Sequence, residues 1–186
     1  MVKAGVLALQ GDFREHAEAF AALGATPVEV RTPAQLADVD CLAIPGGEST
    51  TISKLARAYE LVEPVRARAA AGMPIFGTCA GMIVLARRVL GGEPCFGSMN
   101  ITVRRNAYGR QVDSFETDLA VRGVEHPVRG VFIRAPWIEE IGEDVEILAS
   151  FEDRPVVLEQ GNLVVASFHP ELVGETGLHG YLLRKV

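Results

Sequence analysis

The first half of the chain alternates between short, unbroken apolar runs and segments whose apolar residues return at helical spacing. "KAGVLAL", "TPVEVR", "CLAIP" and "PIFGT" are brief runs bounded by turn formers, and each reads as a strand. Between the first two, "FREHAEAFAALG" places Phe13, Ala17, Phe20, Ala21 and Gly24 at helical spacing, with Asp12 as N-cap and Gly24 as a C-terminal stop. "PAQLAD" predicts a short helix and "TISKLARAYEL" a longer one, followed by a helix opened by Pro64 and closed by Gly72. After "PIFGT", the strand gives way at Cys79 to another helix, and a second apolar run, "IVLARRVL", follows. Such alternation implies a parallel sheet covered on both faces. The second half changes character: "MNITVRR", "LAVRG", "VFIRAP", "VEILASF", "PVVLEQ" and "LVVASF" are short strands that predict an antiparallel or mixed extension of the same sheet. "GLHGYLLRKV" predicts a terminal helix cut short. The expected fold is α/β, in three layers, with a mixed, mostly parallel central sheet and helices on both faces.

Composition narrows the class. The 186 residues, 48% hydrophobic, suit one domain with a sizeable core, and no linker or internal repeat divides residues 1–186. A net charge of -6 argues against a nucleic-acid surface and supplies no polybasic membrane patch. At the start, only six apolar or small residues precede Gln10, too few for a signal sequence or a membrane span. The three cysteines, Cys41, Cys79 and Cys95, are widely spaced without a Cys-x-x-Cys pair, so neither a disulfide framework nor a zinc site is expected. A reducing cytoplasm is the simplest setting. His16, His126, His169 and His179 show no metal-ligand spacing, and no metal or organic cofactor is implied. Cys41 and Cys95, with no motif around them, are expected to pack as small hydrophobes.

Cys79 is different. It sits in Gly77-Thr78-Cys79-Ala80-Gly81 at a strand-to-helix turn, the elbow arrangement of hydrolytic nucleophiles. The small neighbours are expected to clear space for an attacking sulfur and its substrate, and the amino end of the next helix favours a thiolate. A buried structural cysteine before a core helix accounts for this pattern alone equally well. "ASFHPE" shifts the balance, because His169 follows an apolar strand and Glu171 lies two residues on. In extended backbone those side chains share a face, so Glu171 can hold the imidazole that deprotonates Cys79. Pro170, which cannot donate a ladder hydrogen bond, fits a strand edge; a surface turn is the competing reading. "IPGGEST" adds a glycine pair able to turn N–H groups toward an oxyanion. It lacks the Gly-Lys-Ser/Thr of a phosphate loop, and Ser49 or Thr50 can simply cap the following helix.

Together and in order, "LALQGDFREH", "PGGEST", "GTCAGM", "RRNAYGRQVDSFE", "FIRAP" and "SFHPE" resemble the class I glutamine amidotransferases. Within that class the chain is similar to the glutaminase subunits of pyridoxal 5'-phosphate synthase. The resemblance implies Cys79 as nucleophile, His169 as general base and acid, and Glu171 as the residue orienting His169. It implies an oxyanion hole from Gly46 or Gly47 with the amide of Ala80. It also implies glutamine binding by Gly47, Glu48, Ser49, Arg105, Ile133 and Arg134. A guanidinium fork independently suits the α-carboxylate of glutamine. Many class I members carry glutamine four residues after the nucleophile; Ile83 stands here, which argues against anthranilate-type or carbamoyl-phosphate-type enzymes. The implied partner is an ammonia-accepting, barrel-type synthase subunit, with no nucleic acid or membrane involved. "QGDFREH" is a candidate contact for it, although Glu15 and His16 suit an ordinary solvated helix face as well. Two alternatives stay open: another thiol hydrolase of similar fold, such as a γ-glutamyl hydrolase or peptidase, and a non-catalytic regulatory subunit.

Overall fold

The computed structural model describes residues 1–105 and 114–186, so residues 106–113 of the "RRNAYGRQVDSFE" motif lie outside the described residues. The first half runs β1 (Lys3–Leu7), α1 (Phe13–Ala22), β2 (Thr26–Val30), α2 (Pro33–Ala37), β3 (Cys41–Ile44), α3 (Ser49–Ala58), α4 (Val62–Ala70), β4 (Ile75–Thr78) and α5 (Ala80–Leu85). The second half runs β5 (Ala86–Leu90), β6 (Met99–Arg104), β7 (Phe115–Leu119), β8 (Val128–Phe132), β9 (Trp137–Ile141), β10 (Glu146–Phe151), β11 (Arg154–Gln160) and β12 (Leu163–Ala166). A 3₁₀ turn (Glu171–Val173) and α6 (Gly177–Leu183) complete it.

The main sheet has the order β10-β11-β12-β4-β3-β1-β2. Strands β2, β1, β3, β4 and β12 run parallel, while β11 and β10 extend the sheet antiparallel beyond β12. The strand period of two sorts its side chains. Leu42 and Ile44 of β3 join one apolar cluster with Ile52 of α3, Val65 of α4 and Met82 of α5. Cys41 and Ala43 join the opposite cluster with Phe20 of α1 and Leu178 and Leu182 of α6. Three layers result, as expected, and each fully buried Leu, Ile or Phe contributes about 1.5–3 kcal/mol.

The strand accounting of the second half needs correction. Only β10, β11 and β12 join the main sheet; β5, β6 and β9 form a separate three-stranded sheet, and β7 pairs with β8 alone. "LAVRG" is not a strand: the pairing runs over Phe115–Leu119 and ends where that run begins. "IVLARRVL" divides at Ala86, whose backbone turns extended, so α5 stops at Leu85 and β5 follows. Periodicity fails there because an apolar run carries no mark of where a buried helix becomes a strand. Neither Ser49 nor Thr50 caps α3; the Glu48 carboxylate does, accepting from the N–H groups of Thr50 and Thr51. Gly24 and Gly72, just past their helices at φ 79° and 92°, act as the expected stops. Cys41 and Cys95 are buried as expected, and burial, reinforced by Asp40, pushes the Cys41 thiol up to about 12.

Candidate active site

Cys79 sits at the carboxyl end of β4, in the middle of the main sheet, with φ 48 and ψ -101. An L-residue rarely adopts that conformation, which costs on the order of 1–3 kcal/mol. The surroundings hold it there: the Cys79 N–H donates to the Ala166 carbonyl at 2.8 Å, and its carbonyl accepts from the Ile83 N–H at 3.2 Å. The flanking glycines serve a different purpose from the expected one. A Cβ at Gly81 would lie 2.0 Å from the Ile44 carbonyl oxygen, and one at Gly77 would lie 2.7 Å from the Gly81 carbonyl carbon. They let α5 rest directly on β3 and β4, which aims its first turn and Cys79 at one spot.

His169 lies just beyond β12. Its backbone pairs with Val131 of β8, donating to the Val131 carbonyl at 2.8 Å and accepting from the Val131 N–H at 3.3 Å. The extended geometry assumed for His169 to Glu171 is not present: Pro170 turns helical (φ -72, ψ -31) and Glu171 opens a 3₁₀ turn. The side chains nevertheless meet, because the turn brings the carboxylate back under the ring. His169 Nδ1 donates to Glu171 Oε1 at 2.9 Å. Nδ1 is thereby engaged, which leaves Nε2 to face Cys79, the other group that raises the ring. Gly46 forms the floor beneath, where a Cβ would come within 2.1 Å of His169 Cε1.

Burial opposes a charge on His169, but hydrogen bonds and charge from Cys79 and Glu171 outweigh it and push the ring up to about 10. Burial likewise opposes ionised Glu171, yet the charges and hydrogen bonds of His16 and His169 hold its carboxyl far below the usual range. The cluster is an imidazolium paired with a buried carboxylate.

A cavity of about 340 Å³ opens over these groups. It is lined by Cys79 and His169 and by all six residues assigned to glutamine: Gly47, Glu48, Ser49, Arg105, Ile133 and Arg134. Gly46 lies behind the His169 ring, and Ala80 opens α5, where its N–H has no acceptor within the helix. Gly47, at φ 148, packs against Gln10 and Gly11, and the Glu48 N–H donates to Gln10 Oε1 at 2.7 Å. Arg105 Nη2 meets Glu48 Oε1 at 3.2 Å. Burial raises the Glu48 carboxyl, but the hydrogen bonds from Thr51 and Thr50 together outweigh it and hold the group down at about 2. Arg134 takes a positive φ of 46 at the rim. Sequence reasoning missed Asp12, Ile83 and Leu172 as wall residues. Asp12 stands at the N-cap of α1 but makes no cap bond; its Oδ2 lies 3.5 Å from His169 Nδ1. Asp12, His169 and Glu171 also place ligand atoms within 4.8 Å of one another, although all three already face the thiol site. His16 was misplaced as well: it is fully buried, on neither a solvated face nor a docking surface.

Two histidines set the pH response of stability with opposite signs. Burial first, then the charge of His16, lowers His179 to about 3. Between pH 6.5 and 3 the unfolded chain holds a proton there that the folded one refuses, so stability falls with acid. His169 acts oppositely: its contribution is complete below pH 6.5 and is lost as the pH rises through about 10. Thermal melts should therefore peak near pH 6.5 and drop toward pH 5, and a His179→Phe protein should lose much of the acid-side drop. Equal acid sensitivity in both proteins would contradict this assignment.

Residues 6–186 match the profile of the SNO glutamine amidotransferase family. The chain is 58% identical over 179 residues to "Pyridoxal 5'-phosphate synthase subunit PdxT" of Frankia alni, covering 94% of this chain and 90% of that one. It is 55% identical over 185 residues to the protein of the same name from Desulforudis audaxviator, with 98% of each covered. A solved structure described as "Crystal structure of glutamine amidotransferase" superposes with a TM-score of 0.93 at 50% identity, covering 98% of this chain and 97% of that one. PurLQS from Thermotoga maritima shares the fold at a TM-score of 0.73 and 19% identity, over 99% of each chain. With nearly its whole length matched, this chain belongs to the SNO glutamine amidotransferase family.

Proposed function

We propose that this protein, acting as one domain, hydrolyses L-glutamine to L-glutamate and ammonia through a thioester on Cys79. It passes the ammonia to a barrel-type synthase subunit that builds pyridoxal 5'-phosphate in the cytoplasm, without nucleic acid or membrane. The observation that carries the reading is that Cys79 and His169 line one cavity of a size to hold an amino acid, with Glu171 buried behind and bonded to the His169 ring. The full-length similarity to PdxT subunits supports the partner.

The chemistry follows from the charges. With His169 held protonated beside Cys79, the sulfur is the nucleophile and attacks the side-chain amide carbon of glutamine. The amide oxygen gains negative charge, and N–H groups at Ala80 and at Gly46 or Gly47 are the donors assigned to it. As the carbon–nitrogen bond breaks, His169 gives its proton to the leaving amine, and ammonia departs. Now neutral, His169 takes a proton from water, whose oxygen attacks the thioester carbon. Glutamate leaves, and the returning thiolate and imidazolium restore the starting state. Arg105 and Glu48 suit the other end of the substrate: a guanidinium for the α-carboxylate and a carboxylate for the α-ammonium. These two groups pair with each other at 3.2 Å, so a zwitterion can exchange one ion pair for two.

The test is glutamate release from glutamine and from γ-glutamyl peptides, each with and without the partner synthase. Glutamine turnover that the synthase stimulates is expected. Peptide turnover with no glutaminase activity would replace this reading with the γ-glutamyl hydrolase alternative.

A further inference from the structure

Behind Glu171, away from the cavity, lies a second pair of histidines that the mechanism above does not use. His16 of α1 and His179 of α6 are 163 residues apart in sequence, and both are fully buried. His16 Nδ1 and His179 Nε2 are 2.8 Å apart. On its other side, His16 Nε2 lies 3.1 Å from Thr78 Oγ1 and 3.5 Å from Glu171 Oε1. Thr78 Oγ1 in turn donates to Glu171 Oε1 at 3.3 Å. Phe76 and Phe20 stand edge-on around the pair, which screens it from water.

We infer that His16, backed by His179, is a positioning residue for glutamine hydrolysis, acting through Thr78 and Glu171 to fix the orientation of His169. The inference rests on the glutaminase reading and adds to it. An ionised carboxylate only accepts hydrogen bonds, so the groups facing Glu171 must donate. Toward Glu171 the direction is set by the carboxylate: His16 Nε2–H donates to Thr78 Oγ1, and the Thr78 hydroxyl donates to Glu171 Oε1, while a single proton is shared between His16 Nδ1 and His179 Nε2. That oxygen also accepts from His169 Nδ1–H, so each of these three donors points toward the carboxylate.

The reason such support is needed lies in Glu171 itself. Its Oε2 is buried without a hydrogen-bond partner, so the carboxylate is held through Oε1. Without the Thr78 and His16 donors, Oε1 would keep only His169, and the carboxylate could rotate about its last bond. A second carboxylate is close enough to compete for the ring, since Asp12 Oδ2 is 3.5 Å from His169 Nδ1. Partners that orient metal-bound histidines change activity by about 10- to 100-fold when removed, without touching substrate, and the same scale is taken for His169. The titratable or polar groups facing His16 are Asp12 from its own helix, Glu171, Thr78 of β4 and His179 of α6.

Two measurements test this on the intact protein with its synthase. The first is steady-state glutamate release by His16→Phe, which fits the aromatic surroundings, and by His16→Gln, whose amide N–H can replace Nε2–H. His16→Phe is expected to lower kcat about 10- to 100-fold with KM within about twofold, and to move the acid limb of kcat/KM to higher pH. His16→Gln is expected to recover most of the loss. The second measurement is the ¹⁵N tautomer state of the wild-type histidines, which needs no variant to fold: His16 should carry its proton on Nε2. A His16 proton on Nδ1 alone would overturn the inference. So would a folded His16→Phe protein with wild-type kcat and an unmoved acid limb. Failure of the glutaminase reading is separate, because it would show as absent glutamate release by the wild-type complex.

Discussion

Cys79→Ala is expected to lower glutamine hydrolysis by roughly 10⁴-fold or more while leaving the fold intact. The magnitude is that of removing the nucleophile from a catalytic set that acts as a unit. Stability should change little, because alanine at the same φ and ψ bears similar strain and the Cys79 N–H bond to Ala166 is a backbone bond. The variant has a second, spectroscopic consequence. Cys79 is foremost among the groups that raise His169, so without the thiol the imidazole should titrate at lower pH than in the wild type. Glutamate release above a tenth of the wild-type rate would remove Cys79 from its role.

Gly46→Ala should separate activity from folding more sharply. The added methyl would meet His169 Cε1 at 2.1 Å and Nδ1 at 2.7 Å, and the ring is too well held by Glu171 and Val131 to yield cheaply. Gly46 is not at positive φ, so its backbone accepts alanine. The ring must shift by about an ångström, and misplacement of that order costs about 100-fold in rate. The expected result is a loss near that size in kcat, with a melting temperature within a few degrees of wild type. A variant retaining full activity would mean that the ring does not rest on Gly46 in the working enzyme.

Much of this site was legible because its parts are local. "GTCAGM" marks the elbow, "SFHPE" the base and its partner, and "PGGEST" one wall, each in a handful of adjacent residues. The first-half elements were equally readable, since each strand there is a short apolar run and each helix ends at a glycine or a turn. Three things were not. Phe115 and Trp137 had no reading from sequence; Phe115 stacks on Phe132 at 4.6 Å in the hairpin that pins His169, and the Trp137 ring lies 3.8 Å beneath the Arg154 guanidinium. Burial of His16 depends on α6, which returns near the end of the chain, and no local pattern carries a contact of such separation. The division of the late strands among three sheets depends on edge pairing, which short apolar runs do not encode. Gly77 and Gly81 were rightly singled out, but their demand comes from helix-on-strand contact, not from the approach of substrate.

The hydrogen bond from Cys79 to Ala166 joins β4 to β12 only three positions before His169. Sulfur and imidazole are therefore mounted on neighbouring rungs of the same ladder, whereas the other wall residues sit on connections, Glu48 after β3, Arg105 after β6, and Ile133 and Arg134 after β8. Those connections are free to lengthen or reshape and so retune which amide is admitted, while the spacing between attacker and proton carrier stays fixed by the scaffold beneath.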